Sequence, residues 1–193
     1  MLTVNNTINW LNNFCEALIR DKAALSEYDR IIGDGDHGNN MARGAVQLKQ
    51  AFEDAPPATI GEAFKTAAMT WISKVGGASG PLYGTAFMEM AKVADTKTEL
   101  DEAAVTALLN AGIAGIQKRG KAVAGEKTML DVWIPVAAQL DARQLKQADE
   151  ATTAMRATKG RASFVGDRSI GEVDPGAASS ALFFDALLKE VSA

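Results

Sequence analysis

The sequence predicts an all-α protein: an eight-helix antiparallel up-and-down bundle or barrel that occupies residues 1–193 as one domain. Apolar residues recur every three or four positions along nearly the whole chain, which is the spacing of amphipathic helices. Runs of alternating β-branched residues are absent, so no sheet is expected. With 193 residues, 47% of them apolar, the chain is long enough to bury one full core.

The first four predicted helices each carry an apolar stripe. The stripes are Ile8, Leu11, Cys15 and Leu18; Met41, Ala45, Leu48 and Phe52; Ile60, Phe64, Trp71 and Val75; and Phe87 and Met90. Thr59 and Glu62 have the spacing of a capping box at the start of the third helix. Pro81 suits the first turn of the fourth helix, where a backbone N–H is not needed. Cys15, the sole cysteine, is expected in the core, which fits a reducing cytoplasm.

The last four helices are predicted in the same way. Their apolar positions are Val105, Leu109, Ile113 and Ile116; Met129, Trp133, Val136 and Leu140; and, in the last helix, Leu182, Phe183, Leu187 and Val191. The fifth helix should end at residues 118–120, where two basic residues precede a glycine. The sixth begins at Thr128, and Pro135 is expected to kink it. The seventh, residues 142–159, is alanine-rich and polar.

The connections between these helices are of two kinds. Those after helices two, four and six are short or plain (EDAPPA, ADTKTE and LDA). Those after helices one, three, five and seven are glycine-rich (GDGDHG, GGASGP, GKAVAGEK and GRASFVGDRSIGEVDPG). If neighbouring helices are antiparallel, the glycine-rich loops share one end, the glycine-rich rim, and the others share the plain rim. Four helix N-termini then converge at the glycine-rich rim, an arrangement that favours a bound anion.

The first glycine-rich connection holds three aspartates, Asp29, Asp34 and Asp36, within DRIIGDGDHGNN. Carboxylates this close repel one another unless a cation lies among them. A solvated turn accounts well for one or two of these residues and poorly for all three. A calcium EF-hand starting at Asp34 fails, because Asn39 stands where glycine is needed and Ala45 where glutamate is needed.

Magnesium fits the three aspartates better, because Mg²⁺ takes carboxylate oxygens and completes its shell with water and substrate phosphates. Three carboxylates are more than one such ion usually needs, so two ions are expected. The loop runs directly into a helix, where the N–H groups of Gly38, Asn39 and Asn40 can meet a phosphate. A nucleotide's phosphates are therefore the expected ligand.

Composition and local patterns argue against several other classes of protein. The net charge of −4 argues against nucleic acid as a partner. The start, MLTVNNTINWLNN, lacks the basic and apolar parts of a signal peptide, and no apolar stretch is long enough to span a membrane. Residues 115–122 come close to a Walker loop, but Ala122 stands where Ser or Thr should bind Mg²⁺ and no strand precedes the segment.

Four blocks of sequence fall in the glycine-rich connections. They are DRIIGDGDHGNN (29–40), SKVGGASGPLYGT (73–85), RGKAVAGEKTMLD (119–131) and KGRASFVGDRSIGEVDPGA (159–177). In this order they resemble the L subunit, or nucleotide-binding domain, of dihydroxyacetone kinases, over nearly the whole chain. The resemblance implies an eight-helix barrel that holds ADP or ATP tightly at one rim through two Mg²⁺ ions.

The resemblance also implies roles for particular residues. The metal ligands would be Asp29, Asp34 and Asp36. The contacts to the phosphates and the rest of the nucleotide would be His37, Gly38, Asn39, Asn40, Ala78, Ser79, Gly120, Met129, Arg161, Asp174, Pro175 and Gly176. No side chain of this chain is assigned a covalent catalytic role.

Some of these residues also have a purely structural interpretation. Met129 has the helical spacing of a core residue, and Gly120 would suit a helix C-cap in any fold. Asp174 and Pro175 could simply start the last helix.

Other charged residues of these blocks are left undecided or outside the site. The sequence does not choose between Arg161 and Arg168 as the arginine of the site. Lys121 and Lys127 are expected to be solvated rather than catalytic.

The activity implied by the resemblance is phosphoryl transfer to dihydroxyacetone, shared among subunits. Relatives hold the sugar on a histidine of a separate K domain, whereas the only histidine here, His37, lies in the phosphate loop. The implied partners are a K-type sugar-binding subunit and an M-type phosphohistidine subunit that rephosphorylates the bound ADP; related L subunits also contact transcription regulators. Two other classes stay open: a stand-alone Mg²⁺-dependent small-molecule kinase or phosphatase, and an ADP-sensing regulatory module.

Overall fold

The structure, a computed structural model, describes residues 1–191. Nine α-helices are present in this range: α1 (Val4–Arg20), α2 (Lys22–Ile32), α3 (His37–Asp54), α4 (Ile60–Lys74), α5 (Ser79–Ala94), α6 (Glu102–Gly120), α7 (Leu130–Ala138), α8 (Ala142–Ala154) and α9 (Pro175–Val191). A 3-10 helix, Arg161–Ser169, lies between α8 and α9. Two short strands, β1 (Leu2–Thr3) and β2 (Glu99–Leu100), pair antiparallel. The all-α prediction is confirmed, although the expectation of no strand at all is wrong by this one pair.

The long helices form a closed ring. From α3 to α9 each helix contacts the next in chain order, and α1 closes the ring by packing against both α9 and α3. The close approach of α4 and α5 depends on two glycines of α5. A Cβ at Gly80 would collide with the Val75 carbonyl, and a Cβ at Gly84 would collide with the Ile72 side chain. No helix within residues 1–191 is both long enough and apolar enough to cross a membrane.

The helix bounds differ from the predicted eight helices in two places. The first predicted helix is broken at Asp21, which ends α1 and precedes α2. The backbone bonds Asp21 N–H to Ala17 and Leu25 N–H to Asp21 carry the chain across this break, so α2 continues from α1. The predicted helix 142–159 ends at Ala154, and the chain after Gly160, whose φ is +66°, turns into the 3-10 helix.

Aromatic side chains fill the centre of the ring. The fully buried ones are Trp10, Phe14, Phe64, Trp71, Tyr83, Phe87, Trp133, Phe183 and Phe184. The Phe183 ring centroid lies 4.6 Å from that of Trp10 and 4.9 Å from that of Trp133, distances at which aromatic pairs attract. Cys15 is fully buried as predicted, and burial raises the pKa of its thiol. Pro135 lies inside α7, where the expected kink stays a prediction.

The two rims differ in how their helices begin. At the plain rim, the residue directly before each helix uses its side chain to accept a hydrogen bond from an N–H group of the first helical turn. These residues are Thr3 for α1, Thr59 for α4, Asp101 for α6 and Asp141 for α8. The reciprocal bond expected of Glu62 goes to the Ala58 N–H instead of Thr59. At the glycine-rich rim, the residues directly before α3, α5 and α7 make no such bond, whereas Asp174 does so for α9. The predicted antiparallel order thus places the glycine-rich connections together.

Candidate functional site

Three carboxylates meet at the glycine-rich rim. Asp29 lies in the last turn of α2, Asp34 lies in the following turn, and Asp36 directly precedes α3. One ligand oxygen from each lies within 4.8 Å of the others. Asp29 is buried, and its Oδ2 accepts the backbone N–H groups of Asp36 at 2.8 Å and His37 at 3.0 Å. These two bonds hold the loop closed and leave the other oxygen of Asp29 free to bind a cation.

The donor set suits magnesium. All three side chains offer hard carboxylate oxygens, and no sulfur or imidazole nitrogen belongs to the cluster within residues 1–191. The nearest basic partner is Arg161, whose guanidinium lies 3.0 Å from Asp34 and is largely exposed. A solvent-exposed arginine compensates three clustered carboxylates poorly, so a bound cation fits this loop better.

Uncapped helix N-termini surround the carboxylates. The residues before α3, α5 and α7 are Asp36, Ala78 and Met129, and none of them caps its helix with a side chain. The first-turn N–H groups of a helix have no partner inside the helix. At α7 these groups are bonded to Thr128 and Met129, so the donors open to a ligand come from α3 and α5. Together with the positive end of the helix dipole, they make a site for an anion such as phosphate.

Residues 174–176 form the start of α9 at the same rim. Asp174 is buried, and its Oδ2 accepts the Ala177 N–H at 2.8 Å, while Pro175 occupies the first helical position. Burial raises the pKa of Asp174 to about 7, although the Ala177 N–H and the nearby Lys127 oppose this rise. The turn is therefore a helix start, as its structural interpretation predicted, and it also lines the cleft described next.

Two adjoining clefts open at the glycine-rich rim. The first, of about 150 Å³, is lined by the three aspartates together with His37, Ala78, Ser79, Met129, Arg161, Asp174, Pro175 and Gly176. The second, of about 380 Å³, is lined chiefly by apolar groups of Pro81, Leu82, Ile116, Gly120, Ala122 and Met129. Ala78, Leu82 and Met129 belong to both linings, so an acidic lobe and an apolar lobe form one trough. This shape fits a molecule with charged groups at one end and a flat apolar group at the other.

Three predicted phosphate contacts lie outside the lining of these clefts. Gly38 is buried against α2, where a Cβ would collide with the Lys22 carbonyl, and Asn39 is exposed. The buried Asn40 side chain lies beside Gly76 and Gly77, and its Oδ1 accepts a bond from the Arg43 guanidinium at 2.8 Å. Their role as phosphate contacts stays a prediction; in the structure they form the start of α3, and the Asn40 side chain lies beside the 76–77 turn.

The undecided residues separate clearly. Arg161 lines the first cleft and contacts Asp34, whereas Arg168 is exposed and is not among the lining residues. Gly120 is the last residue of α6, and the left-handed C-cap position belongs to Lys121, with φ +51°. Gly120 instead faces Leu82, which lies 3.0 Å from where a Cβ would be. Met129 is 4% exposed and lines both lobes, so it is at once core and site.

Lys127 is not solvated, contrary to prediction. It is fully buried, with φ +60°, and its ammonium donates to four backbone carbonyls, those of Thr152, Thr153, Met155 and Glu172, at 2.6 to 3.2 Å. Burial lowers the pKa of Lys127, and the carboxylates of Asp174 and Glu172 oppose this. The lysine ties α8 to both ends of residues 155–174, here called the strap segment, which carries Arg161 over the cleft. A single lysine in a glycine-rich loop gives no periodic pattern, so the sequence did not reveal this role.

His37 is buried between three helices. Its Nδ1 lies 3.0 Å from the Ser79 hydroxyl at the start of α5, and its Nε2 lies 3.0 Å from the Ser179 hydroxyl in α9. Burial lowers the pKa of His37 to about 4, against the opposing effect of Asp36 and Asp34, so the imidazole is neutral at physiological pH. Ser179 was not predicted, because a serine on the inner face of an apolar helix resembles an ordinary small core residue.

A ring of helices that gathers carboxylates, uncapped helix N-termini and an apolar lobe at one rim defines a helical domain built to bind an anion with a metal. Residues 31–189 match the model of the DAK2 domain, and the chain belongs to that family. It is 54% identical over 191 residues to PEP-dependent dihydroxyacetone kinase 1, ADP-binding subunit DhaL, of Listeria innocua, covering 96% of both chains. It is 48% identical over 197 residues to the PTS-dependent dihydroxyacetone kinase, ADP-binding subunit DhaL, of Lactococcus lactis, covering 100% of both chains.

The fold is also similar to that of a larger enzyme. The dihydroxyacetone kinase from C. freundii, solved in complex with AMP-PNP and Mg²⁺, superposes with a TM-score of 0.73 at 24% identity. The match covers 93% of this chain and 33% of the C. freundii chain. The resemblance inferred from the four sequence blocks and the all-α fold class are confirmed, whereas the count of eight helices is not.

Proposed function

We propose that this chain is the ADP-binding subunit of a PEP-dependent dihydroxyacetone kinase and acts in the cytoplasm as one nucleotide-binding domain, residues 1–193. The bound ADP would receive a phosphoryl group from an M-type phosphohistidine subunit. The γ-phosphoryl would then pass to dihydroxyacetone held covalently on a K-type subunit, giving dihydroxyacetone phosphate. Relatives that match over their full length and are named ADP-binding subunits of such kinases support this proposal.

In this proposal Asp29, Asp34 and Asp36 hold two Mg²⁺ ions. Bound Mg²⁺ would supply positive charge to the phosphate oxygens. The closeness of the three carboxylates, within 4.8 Å, supports ions shared between them. The chain itself holds Asp29 in place through the backbone N–H groups of Asp36 and His37, so this ligand is oriented before any metal binds.

The phosphates would lie against the uncapped starts of α3 and α5. The donors there are the backbone N–H groups of Gly38 and Asn39 and of Ala78 and Ser79, since the His37 N–H is bonded to Asp29 and the Asn40 N–H to the Asp36 carbonyl. Several weak donors in a fixed arrangement suit a phosphate. Asn40 would act indirectly, through the 76–77 turn that its side chain supports.

The adenosine part would occupy the apolar lobe. Leu82, Ile116 and Met129 offer flat apolar surface there, and the absence of a side chain at Gly120 keeps the lobe open. Arg161, from the strap segment, and the turn 174–176 would close over the nucleotide from the other side. Contact from so many elements supports slow release, and so a nucleotide kept as a cofactor.

The acceptor would come from a partner. The metals and phosphates would occupy the acidic lobe, of about 150 Å³, and the adenosine the apolar lobe, so neither lobe would be left for a neutral sugar. His37 has both ring nitrogens bonded to serines, so it is not free to hold dihydroxyacetone. A K-type subunit that closes over the glycine-rich rim would bring the sugar and exclude water. A transcription regulator is a further proposed partner.

The observation that carries the proposal is the single trough in which Ala78 and Met129 join an acidic lobe to an apolar one. The test measures small molecules released from natively purified protein, and then sugar phosphate formed from dihydroxyacetone with and without K-type and M-type subunits. We expect near-stoichiometric ADP with magnesium, and turnover only with the partners. Turnover by the isolated chain with ATP would indicate a stand-alone kinase, and ADP binding without turnover in any mixture would indicate a sensing module.

A further inference from the structure

A chain of hydrogen-bonded side chains runs from the glycine-rich rim into the aromatic core. In order, its members are Ser79, His37, Ser179, Tyr83, Ser180 and Trp133. The successive distances between their polar atoms are 3.0, 3.0, 2.9, 3.0 and 3.0 Å. The four inner side chains are fully buried. Because each hydroxyl and the indole carry one hydrogen, the direction of every bond follows from the inner end.

Ser180 decides the direction at the inner end. The Trp133 indole can only donate, so the Ser180 oxygen accepts its N–H at 3.0 Å. The Gly176 carbonyl can only accept, and it lies 2.7 Å from the same Ser180 oxygen, so the Ser180 hydrogen goes to it. With its one hydrogen placed, Ser180 can only accept from Tyr83, and Tyr83 therefore donates to Ser180.

The next step leads to the histidine. Since the Tyr83 hydrogen points to Ser180, the Tyr83 oxygen accepts from Ser179 across 2.9 Å. The other acceptors within reach of the Ser179 hydrogen are the Gly176 carbonyl at 3.2 Å and His37 Nε2 at 3.0 Å. A hydrogen turned to either of them would leave the Ser179 and Tyr83 oxygens 2.9 Å apart with no hydrogen between them, so it belongs on the bond to Tyr83. The 3.0 Å contact between His37 Nε2 and Ser179 then needs a hydrogen on Nε2.

From this order we infer that Tyr83 is a positioning residue, which holds His37 as the Nε2–H tautomer and thereby directs the Ser79 hydroxyl hydrogen to His37 Nδ1. Ser79 then reaches an anion through its backbone N–H and not through its hydroxyl hydrogen. His37 joins the starts of α3, α5 and α9 in one orientation, with no ring nitrogen left over. The tautomer is a property of the chain alone, whereas its effect on the affinity for ADP rests on the proposed function.

The sole histidine makes the tautomer directly measurable. In protein labelled with ¹⁵N-histidine, both nitrogen signals belong to His37, and their shifts and couplings to the two ring carbon-bound hydrogens tell Nε2–H from Nδ1–H. The measurement uses the full chain at neutral pH, as purified and again with ADP and Mg²⁺ added. We expect Nε2–H in both samples. A predominant Nδ1–H signal in the wild type would overturn the inference.

Tyr83→Phe tests the positioning role. Without the Tyr83 hydroxyl, the Ser179 hydrogen is free to turn to His37 Nε2, so the Nδ1–H tautomer should become populated and the ADP affinity should fall about two- to tenfold, the value of one hydrogen bond. Tyr28→Phe makes the same chemical change at the only other tyrosine, which is half-buried and outside the chain of bonds. This control should change neither the tautomer of His37 nor the affinity for ADP. An unchanged tautomer in folded Tyr83→Phe would remove Tyr83 from this role.

Ser179→Ala provides a second variant in case Tyr83→Phe does not fold. It removes the acceptor of the Nε2 hydrogen directly, so it too should shift the tautomer, and a wild-type spectrum would contradict the inference. The two proposals fail differently. Absence of ADP binding in the wild type with Nε2–H intact would overturn the proposed function and leave the tautomer standing.

Discussion

The same ring of helices ends in two rims whose helix N-termini differ in how they are satisfied. At the plain rim, side chains such as Thr59 and Asp101 accept first-turn N–H groups, so these helix starts need nothing from outside. At the glycine-rich rim Asp174 caps α9, whereas the residues directly before α3 and α5 provide no side-chain cap. First-turn N–H groups of α3 and α5 are therefore left for an anion, and the nearby carboxylates are left for a cation. The stability of one end should therefore depend on ligand, whereas the stability of the other should not.

The largest effect is expected at Lys127, which holds the glycine-rich rim together without any ligand. Lys127→Met keeps most of the length of the side chain but removes the ammonium from four backbone carbonyls. Those of Thr152 and Thr153 keep a backbone N–H donor, whereas those of Met155 and Glu172 lose the donor that the ammonium supplied. We expect the free energy of unfolding to fall by roughly 3 kcal/mol, since each unsatisfied buried polar group costs about 1–3 kcal/mol and relaxation recovers part of the total. Urea titration measures the loss, and limited proteolysis should show faster cleavage within the strap segment.

Lys121→Met is the matched control for Lys127→Met. Lys121 lies in the same loop and also has a positive φ, of +51°, but its side chain is exposed. Its substitution should change stability by no more than about 0.5 kcal/mol, as is usual for exposed positions. Equal losses in the two variants would mean that the strap segment is held by something other than the buried ammonium.

The next effect separates ligand-linked from intrinsic stability. Asp34→Ala removes one of the three clustered carboxylates. The only ion pair that it breaks is the exposed one with Arg161, so the ligand-free variant should have nearly the same free energy of unfolding as the wild type. The stabilisation by ADP and Mg²⁺ should be largely lost. At free ligand of 100 times Kd that stabilisation is about 2.7 kcal/mol. Thermal unfolding with ADP and Mg²⁺, and again with a chelator, measures both quantities.

A chelator should erase the difference between wild type and Asp34→Ala, because both then lack bound metal. Asp185→Ala, at an exposed acid paired with Lys189 on α9, serves as the control and should keep the full response to ligand. If Asp34→Ala kept wild-type stabilisation by ADP and Mg²⁺, Asp34 would not belong to the metal site.

The features predictable from sequence were those that repeat or cluster. Helical spacing predicted the all-α fold, and the alternation of plain and glycine-rich connections predicted which loops share a rim. Three aspartates within eight positions, Asp29 to Asp36, predicted a cluster of carboxylates, and the structure brings one oxygen of each within 4.8 Å of the others. The break at Asp21 was missed, since the local apolar pattern continues across it.

The residues missed at the site act through contacts that are distant in sequence. Lys127 bonds to carbonyls 25 to 45 positions later, and His37 meets Ser179 across 142 positions. No local pattern indicates which lysine will be buried or which serine will face a histidine. Asn40 illustrates the same limit: its expected contact with a phosphate stays a prediction, and its place beside the 76–77 turn could not be predicted from the local sequence.

A third prediction concerns pH and two buried groups of the glycine-rich rim, Asp174 and His37. Burial raises the pKa of Asp174 to about 7 from 3.8, so between these values the native state holds a proton that the unfolded chain has released, and stability falls as pH rises. Burial lowers the pKa of His37 to about 4 from 6.5, so in that window the unfolded chain holds the extra proton, and stability rises with pH. The two effects oppose each other between about pH 4 and 6.5.

Asp174→Asn should reveal the pH dependence of stability that comes from His37. The amide can still accept the Ala177 N–H, so the start of α9 is kept, but the opposing proton is gone. Stability should then rise with pH by about 1 kcal/mol per unit from pH 4 to 6.5, beyond the slope of the wild type. Urea unfolding with a chelator present measures it, and Asp167→Asn, at an exposed acid of the strap segment, should follow the wild-type profile. A variant profile parallel to that of the wild type would contradict the assignment.

The smallest effect belongs to the plain rim and completes the comparison. The Asp101 carboxylate accepts the Ala104 N–H at 2.8 Å and so caps α6, far along the helix from the clefts. Asp101→Ala should lower the free energy of unfolding by about 1 kcal/mol, the usual value of a side-chain cap, whereas Asp101→Ser, which can still cap, should lose much less. Because this rim binds no ligand in the proposal, the loss should be the same with ADP and Mg²⁺ as with a chelator, and the affinity for ADP should not change. A loss that grew or shrank with ligand would show that the two rims are energetically coupled through the helices. The contrast between a rim capped by its own side chains and one completed by a ligand would then no longer hold.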